Sequence, residues 1–179
     1  MKKMLTIISL LLISINILGQ EKVKGELIFP LQGQHVHGSS IIELPNGDML
    51  ACWFQGSGER SANDVAIKGA RLKKGEDQWS DVFIMADTPG QPDCNPVLFF
   101  NKENKLFLSW VVVQANRWET SLLKYRTSID YENVGAPNWN WQDIILLKPT
   151  DDFAKEIKTK FKNNPGPEMG WSEYAPLQR

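Results

Sequence analysis

The chain has 179 residues, of which 42% are hydrophobic and 23% are charged, and its formal net charge is -1. This is the balance of an ordinary globular protein without the basic excess of nucleic-acid-binding proteins, so no nucleic-acid partner is expected. The 7 Trp residues are many for this length. We expect most of them to pack in the core, although carbohydrate-handling proteins also use aromatic platforms.

Residues 1–19 have the features of a cleaved signal peptide. Two lysines form a positive start, the apolar run Leu5–Leu18 is too short to span a bilayer comfortably, and Gly19 supplies a small residue before the cut. We therefore expect a mature chain that begins at Gln20, is secreted or periplasmic, and has no stable membrane insertion. An uncleaved membrane anchor is the alternative.

Residues 39–84 contain four short apolar runs separated by turn or polar segments, which predicts a meander of four antiparallel strands. Asn46-Gly47 favours a tight hairpin turn, because both central residues of such a turn need positive φ. Gly75 lies in a second turn. The predicted strands are residues 39–44, 48–54, 64–72 and 79–84.

The same pattern returns from residue 95 to residue 147, with Trp141-Gln142-Asp143 in the place of Trp79-Ser80-Asp81. The period of roughly 55 residues is in the range of propeller blades. The predicted strands of this second unit are residues 95–100, 105–113, 119–127 and 141–147.

The pattern changes after Pro149. Phe153, Ile157 and Phe161 recur at i, i+4 and i+8, which predicts an amphipathic helix with acidic residues at its start. We interpret residues 150–179 as a helix and loop inserted between blades. Because a propeller closes with about four to eight blades, we expect a truncated chain whose remaining blades are missing.

The predicted fold class is all-β. We expect a β-propeller with about two four-stranded blades in residues 20–149 and a short C-terminal helix, and a two-unit β-sandwich is the competing fold. Two blades alone should expose apolar faces and make the chain prone to aggregation. The residues expected at such exposed faces are Val65, Ile67, Leu98, Phe100, Leu108 and Trp110.

The two cysteines allow two interpretations, a disulfide or separate core residues. An exported protein permits one between Cys52 and Cys94. The alternation of the strand around Cys52 instead indicates a small core residue.

The order of the strands predicts where polar side chains gather. In an up-and-down meander, the start of the first strand and the loop between the second and third strands lie at one edge of the sheet, which we call the rim. The other two turns lie at the opposite edge and contain ordinary turn residues. The predicted rim residues are His35, His37, Glu59, Arg60, Asn63, Asp64, Asp93, Asn95, Asn116, Arg117 and Trp118.

Three rim residues are candidates for catalysis. Asp64 is suited to act as a general acid or base, for which a raised pKa would be needed, and His37 to transfer protons near neutral pH. Glu59 is the third candidate. The alternatives are that Asp64 caps a turn and that His37 is an ordinary loop residue. His35 and His37 could form a metal pair, but no third ligand is evident, so no metal and no cofactor are expected.

Four rim residues are candidates for binding a substrate. Arg60 and Arg117 are suited to bidentate binding of a sugar carboxylate, unless they are ordinary solvated arginines. Asn95 and Trp118 complete this set.

Residues 128–139 carry a resemblance to a known family. Ser128, Asp130, Gly135 and Trp139 follow the order of the Asp-box, the S-x-D-x-G-x-T-W turn of bacterial neuraminidase repeats, with extra residues between Asp130 and Trp139. The passage from residue 37 to residue 72 also resembles the first blade of sialidase-superfamily proteins. The chain thus resembles this superfamily over about residues 34–147.

The resemblance implies a six-bladed propeller with a glycan site on its axis. It also implies a cluster of three Arg, an Asp acid/base, and a Tyr nucleophile assisted by Glu. The family places the Asp in the loop where this chain has Glu59, Arg60 and Asp64, and the Tyr would lie beyond Arg179. The family's first Arg belongs to an R-I-P motif, and at that place this chain has His37-Gly38-Ser39.

We therefore expect a secreted sialidase-like glycoside hydrolase acting on terminal, anionic sugars of glycans, with little turnover from this chain alone. The missing R-I-P arginine favours two alternatives. One is a uronate-directed lyase or glycosidase in which His37 acts as base, and the other is a non-catalytic glycan-binding propeller.

Overall fold

The structure is a computed structural model that describes residues 25–146 and 151–163. The expected signal peptide and the segment after residue 163 lie outside the described residues. Two four-stranded antiparallel sheets make up most of the described chain, and in each of them the strands are adjacent in chain order. This confirms the all-β prediction and the two meanders.

The strands lie close to their predicted positions. Sheet A contains β1 (His35–Glu43), β2 (Met49–Gly56), β3 (Ala66–Leu72) and β4 (Phe83–Ala86). Sheet B contains β5 (Asp93–Phe100), β6 (Leu106–Val112), β7 (Leu122–Ser128) and β8 (Trp141–Ile145). The predicted helix is present as α1 (Asp151–Asn163), with Lys160 and Lys162 in its last turn, where positive charge complements the helix dipole. No helix in the described ranges is long and apolar enough to cross a membrane.

Three strand starts differ from prediction by three or more residues, each for a local reason. β1 begins four residues early, because a bulge between His37 and Ser40 lets it keep pairing as far as His35 with Gly56. β4 begins at Phe83 because Ser80, which precedes it, forms hydrogen bonds with the backbone of β3 that do not belong to the regular pairing of the two strands. β7 begins at Leu122 because Trp118–Thr120 form a 3-10 turn.

One face of each sheet packs against the other sheet. Alternate residues of β2 (Leu50, Cys52, Phe54) and of β6 (Leu106, Leu108, Trp110) meet in a shared core. Their large side chains are fully buried, which at about 25 cal/mol per Å² makes this the main apolar contribution to stability. Two sheets that share a face in this way occur both as neighbouring propeller blades and as a sandwich.

The predicted set of exposed apolar residues is wrong. Five of the six are buried, and Phe100 is partly buried against the same core. These residues belong to the faces through which the two sheets cover each other. Exposed apolar residues include Val97, Phe99 and Trp141 on the second face of sheet B, and Ile41 and Ile84 on sheet A.

The second face of sheet A is covered in part by the segment before β1. Ile28 and Phe29 pack there with Trp53, and the ring centroids of Phe29 and Trp53 are 4.8 Å apart. Cys52 and Cys94 are both free and buried, which confirms Cys52 as a core residue.

The connection between β7 and β8 carries the Asp-box-like residues and folds as a closed turn. The hydroxyl of Ser128 donates to the carbonyl of Asn138 (2.7 Å) and accepts from the backbone N–H of Asp130 (3.0 Å). The amide of Asn138 donates to the Asp130 carboxylate at 2.7 Å. Trp139 packs against the shared core.

This turn is also tied to sheet A. The guanidinium of Arg71 is buried and donates to the carbonyls of Tyr131 (2.7 Å) and Gly135 (3.2 Å). Asp48 lies 3.7 Å from the same guanidinium and partly balances its charge. The opposite edge of the two sheets is therefore held by a buried polar contact as well as by the core.

Candidate functional site

The rim loops of the two sheets meet in the structure. The side-chain amide of Asn116, after β6, donates to the carbonyl of Ser61 (3.0 Å) and to the side-chain oxygen of Asn63 (2.9 Å) in the β2–β3 loop. The backbone N–H of Asp93 donates to the carbonyl of Val65 at 2.9 Å. The two sheets thus present one continuous rim.

Arg60 and Trp118 come together across this junction. The Arg60 guanidinium carbon lies 6.0 Å from the centre of the Trp118 ring, at the limit of a cation–π contact. Both side chains are exposed, Trp118 by 42%. Within the described residues Arg60 forms no salt bridge, and its charge helps to lower the pKa of Glu119 without direct pairing.

Arg117 is already paired. Its guanidinium donates to the Glu119 carboxylate, with 2.7 Å between Nε and Oε1, and forms a salt bridge to the same oxygen. The pKa of Glu119 lies below its ordinary value, first because of a hydrogen bond from its own backbone N–H and then because of Arg117. Sequence reasoning missed Glu119, although an acid two residues after an arginine in a loop is a usable signal.

Two matching bulges place His37 and Asn95 at the rim. β1 shifts register between His37 and Ser40, and β5 shifts between Cys94 and Val97, at the equivalent point of the second unit. Gly38 (φ 58°) and Asn95 (φ 51°) adopt left-handed backbone there. A Cβ added to Gly38 would stand 3.4 Å from the side-chain oxygen of Asn95, so the two bulges are neighbours.

The two histidines form one cluster on Phe54. The His35 ring stacks on the Phe54 ring at 5.9 Å, and the His37 ring meets it edge-on at 5.6 Å. Both histidines are exposed. Across residues 25–146 and 151–163, no three His, Cys, Asp or Glu side chains are grouped to hold a metal ion.

Asp64 closes its own loop through hydrogen bonds to Ser57. Its carboxylate accepts the Ser57 hydroxyl (2.8 Å) and the Ser57 backbone N–H (3.1 Å), which lowers its pKa. The pKa of Asp64 thus lies on the opposite side of its ordinary value from the raised pKa that a general acid would need, because the exposed carboxylate is hydrogen-bonded in its ionised form. Glu59 is partly exposed in the same loop, and its backbone carbonyl faces the Cys94 thiol at 4.0 Å.

Asp93 lies behind the rim and not on its surface. Its carboxylate is fully buried and accepts from the backbone N–H of Thr88 (2.7 Å) and the indole N–H of Trp110 (2.8 Å). Burial raises the pKa of Asp93. Lys124 and Arg126 lie over the Trp110 ring at 5.3 and 5.5 Å. Asp93 is therefore a support for the rim.

Two comparisons with known proteins bear on the family of the chain. No curated protein matches the chain. A family model described as a BNR repeat-like domain matches residues 47–159, which includes β2 to β8 and the Asp-box-like turn. The match covers more than half of the chain, and it agrees with the resemblance to the sialidase superfamily. The chain therefore belongs to the BNR repeat-like domain family.

Proposed function

We propose that this protein acts on glycans as a sialidase-like protein, and that its rim binds an anionic sugar. The observation that carries the proposal is the pairing of Arg60 with Trp118 across the two sheets. A guanidinium offers a planar fork for a carboxylate, and an exposed indole offers a flat apolar face to a sugar ring. Membership of the BNR repeat-like family supports a glycan as the ligand.

The neighbouring residues extend this surface. His37 and Asn95 stand on adjacent bulges and supply polar groups that reach solvent. Arg117 is held by Glu119, so Arg60 is the stronger candidate for the first contact with the sugar carboxylate. An unpaired cation beside an aromatic ring favours an acidic sugar over a neutral one.

The two sheets are proposed to be neighbouring blades of a propeller, six-bladed as in the sialidase family. Three observations support this: both sheets are simple meanders, both first strands carry a bulge at the same place, and β5 packs against β1. A secreted or periplasmic location is proposed from the sequence of residues 1–19. Identifying Gln20 as the N-terminus of the mature protein would test that location.

Hydrolysis of a terminal anionic sugar is the proposed activity of the complete protein. Asp64 is ionised and bound to Ser57, so the described geometry supports sugar binding more directly than proton donation. The general-acid role of Asp64 and the proton-transfer role of His37 stay predictions. They are tested by release of sialic acid and of uronic acid with Asp64→Asn, His37→Ala and Arg117→Ala. Wild-type activity in all three variants would show that the assignment is wrong.

Binding is tested by nuclear magnetic resonance, since each indole N–H gives its own signal. Sialyllactose and a glucuronide are titrated in parallel with lactose, and the Trp118 signal is expected to shift with the two acidic sugars. Arg60→Ala should weaken this binding by about tenfold or more, because it removes a charge-assisted contact. Lys102→Ala, an exposed cation in a turn at the opposite edge, is the matched control. Equal binding by Arg60→Ala and Lys102→Ala would refute the proposal.

A further inference from the structure

The second face of sheet B is an apolar surface open to solvent. Strand pairing places two complete rows of side chains on this face, with one residue from each strand in each row. The rows are Val97, Ser109, Tyr125 and Asp143, and Phe99, Phe107, Thr127 and Trp141. The Phe107 ring stacks on the rings of Phe99 (5.0 Å) and Tyr125 (6.1 Å), so the aromatic part of the face is ordered. An exposed apolar face of this kind indicates a surface for a partner.

Matching bulges show which residues of the two sheets are equivalent. The shift in register ends at Ser40 in β1 and at Val97 in β5, so these two residues hold the same place in their units. The next residues along the two strands, Ile41 and Leu98, are therefore equivalent too. The pairing of β1 with β2 and of β5 with β6 continues this correspondence through the second strand of each sheet.

The two sheets contact each other through faces that are not equivalent. Sheet A contributes the face that contains Cys52, and sheet B contributes the face that contains Leu108 and Trp110. The residues of sheet A equivalent to Leu108 and Trp110 are Ala51 and Trp53, and both belong to its second face. Two units related by a twofold axis would bring equivalent faces together. The observed packing is instead head-to-tail.

Head-to-tail packing leaves one unused face at each end of the pair of sheets. The second face of sheet B is equivalent to the buried face of sheet A, and the second face of sheet A is equivalent to the buried face of sheet B. Where the sheets meet, the hydroxyl of Ser40 accepts from the backbone N–H of Leu98 at 3.1 Å. Their equivalents on the two unused faces are Val97 and Ile41, which are 50% and 56% exposed. The unused faces are therefore related to each other as the two faces already in contact are.

The segment before β1 leaves room on the second face of sheet A. Ile28 and Phe29 pack on Trp53, but Ile41 and Ile84 on the same face remain exposed. A partner sheet would contact this open part and remove two large apolar side chains from water, which stabilises an association.

A charge on each unused face has a counterpart on the other. Lys68 is equivalent to Lys124, since each pairs with the tryptophan of the preceding strand. The ammonium group of Lys124 crosses to sheet A and donates to the hydroxyl of Thr88, just after β4, at 3.2 Å. In a contact between copies Lys68 would cross toward β8, where Asp143 is the charged residue among those described on this face. Glu43, the other charged residue of the sheet A face, lies at the opposite edge, away from Lys68.

We propose that copies of this chain associate head-to-tail, with the second face of sheet B in one copy against the second face of sheet A in the next. Such a contact is heterologous, and repeating it produces a ring if the rotation closes. The number of copies rests on the six-bladed propeller proposed above: with two sheets in each copy, three copies complete the ring. The contact itself does not depend on the rim binding a sugar.

The test measures mass by sedimentation equilibrium on the chain from Gln20, the proposed mature form, over a range of micromolar concentrations. The mass is expected to rise with concentration and to level off at three chains. Val97→Lys and Ile41→Lys should each weaken association by about tenfold or more, because each would bury an unpaired charge in the contact. Val134→Lys is the matched control, since Val134 is 83% exposed in the turn between β7 and β8, and it should associate as the wild type does.

Mixing the two variants tests the direction of the contact. Val97→Lys keeps the face of sheet A and Ile41→Lys keeps that of sheet B, so an equimolar mixture should form a complex of one chain of each and nothing larger. If either variant fails to fold, as judged by circular dichroism, Val97→Ser or Ile41→Ser replaces it and should also weaken association.

The outcomes separate this proposal from the others. A monomeric wild type would overturn it, and so would wild-type association by Ile41→Lys, which would mean that two copies pair through the same face of sheet B. Growth of the mass without limit, unchanged in both variants, would overturn it as well. A mass that levels off at two or four chains, with the expected mixture, would refute six blades and support the head-to-tail contact. None of these results bears on the response of Trp118 to acidic sugars, so failure of the contact and failure of the rim are distinguishable.

Discussion

Ser128→Ala tests whether the Asp-box-like turn stabilises the fold. Ser128 is fully buried, and its hydroxyl serves two backbone groups, as donor to the Asn138 carbonyl and as acceptor for the Asp130 N–H. Alanine removes both bonds without adding volume, and water does not reach the position freely. Leaving buried polar groups without a partner costs about 1–3 kcal/mol.

The free energy of unfolding should therefore fall by about 1–3 kcal/mol in urea titrations, and Tm should fall by about 2–4 °C for each kcal/mol in a chain of this size. Ser109→Ala is the matched control, since Ser109 is partly exposed on β6 and its side chain makes no hydrogen bond within the described residues. Its effect should stay within about 0.5 kcal/mol. If the two variants unfold at the same urea concentration, the hydroxyl of Ser128 does not hold the turn.

Three further predictions concern the core and its titrating groups. Leu108 lies in the shared core, so Leu108→Ala should lower the free energy of unfolding by about 2–5 kcal/mol. Leu123 is 38% exposed, and Leu123→Ala should lower it clearly less. Equal losses in urea titrations would contradict the packing of the two sheets. Burial raises the pKa of Cys52 to about 12 and that of Cys94 to about 11. Iodoacetamide should therefore label both thiols only after denaturation. Labelling of the folded chain, detected by mass spectrometry, would contradict this. Because the folded pKa of Asp93 is raised, the folded state binds more protons than the unfolded state, and stability should fall as pH rises from about 4 through that pKa. Asp93→Asn should lack this slope, and a difference between the two proteins that is constant with pH would argue against it.

The strands were predictable because their signals are local. Alternation of apolar residues and the turn signal around Asn46-Gly47 depend on neighbours in sequence. The turn is present, but its form differs from prediction: Gly47 has φ 88° while Asn46 does not have positive φ, and the N–H of Gly47 donates to the carbonyl of Leu44 at 2.8 Å. The rim could also be anticipated, since the order of strands in a meander determines which loops share an edge. The two bulges could not be anticipated, because a bulge depends on the register in which a strand pairs with its neighbour.

The sequence by itself determined two similar four-stranded units, their turns, the helix from residue 151 and the family to which the chain belongs. Only the tertiary structure decided which face of each sheet is covered, and hence the environment of each titratable group. Asp93 and Asp64 were both predicted on the rim as acids, yet one is buried with a raised pKa and the other is exposed with a lowered pKa. The reason is physical: desolvation and hydrogen bonding depend on atoms brought from distant parts of the chain, such as Trp110 beside Asp93, and not on the residues next in sequence.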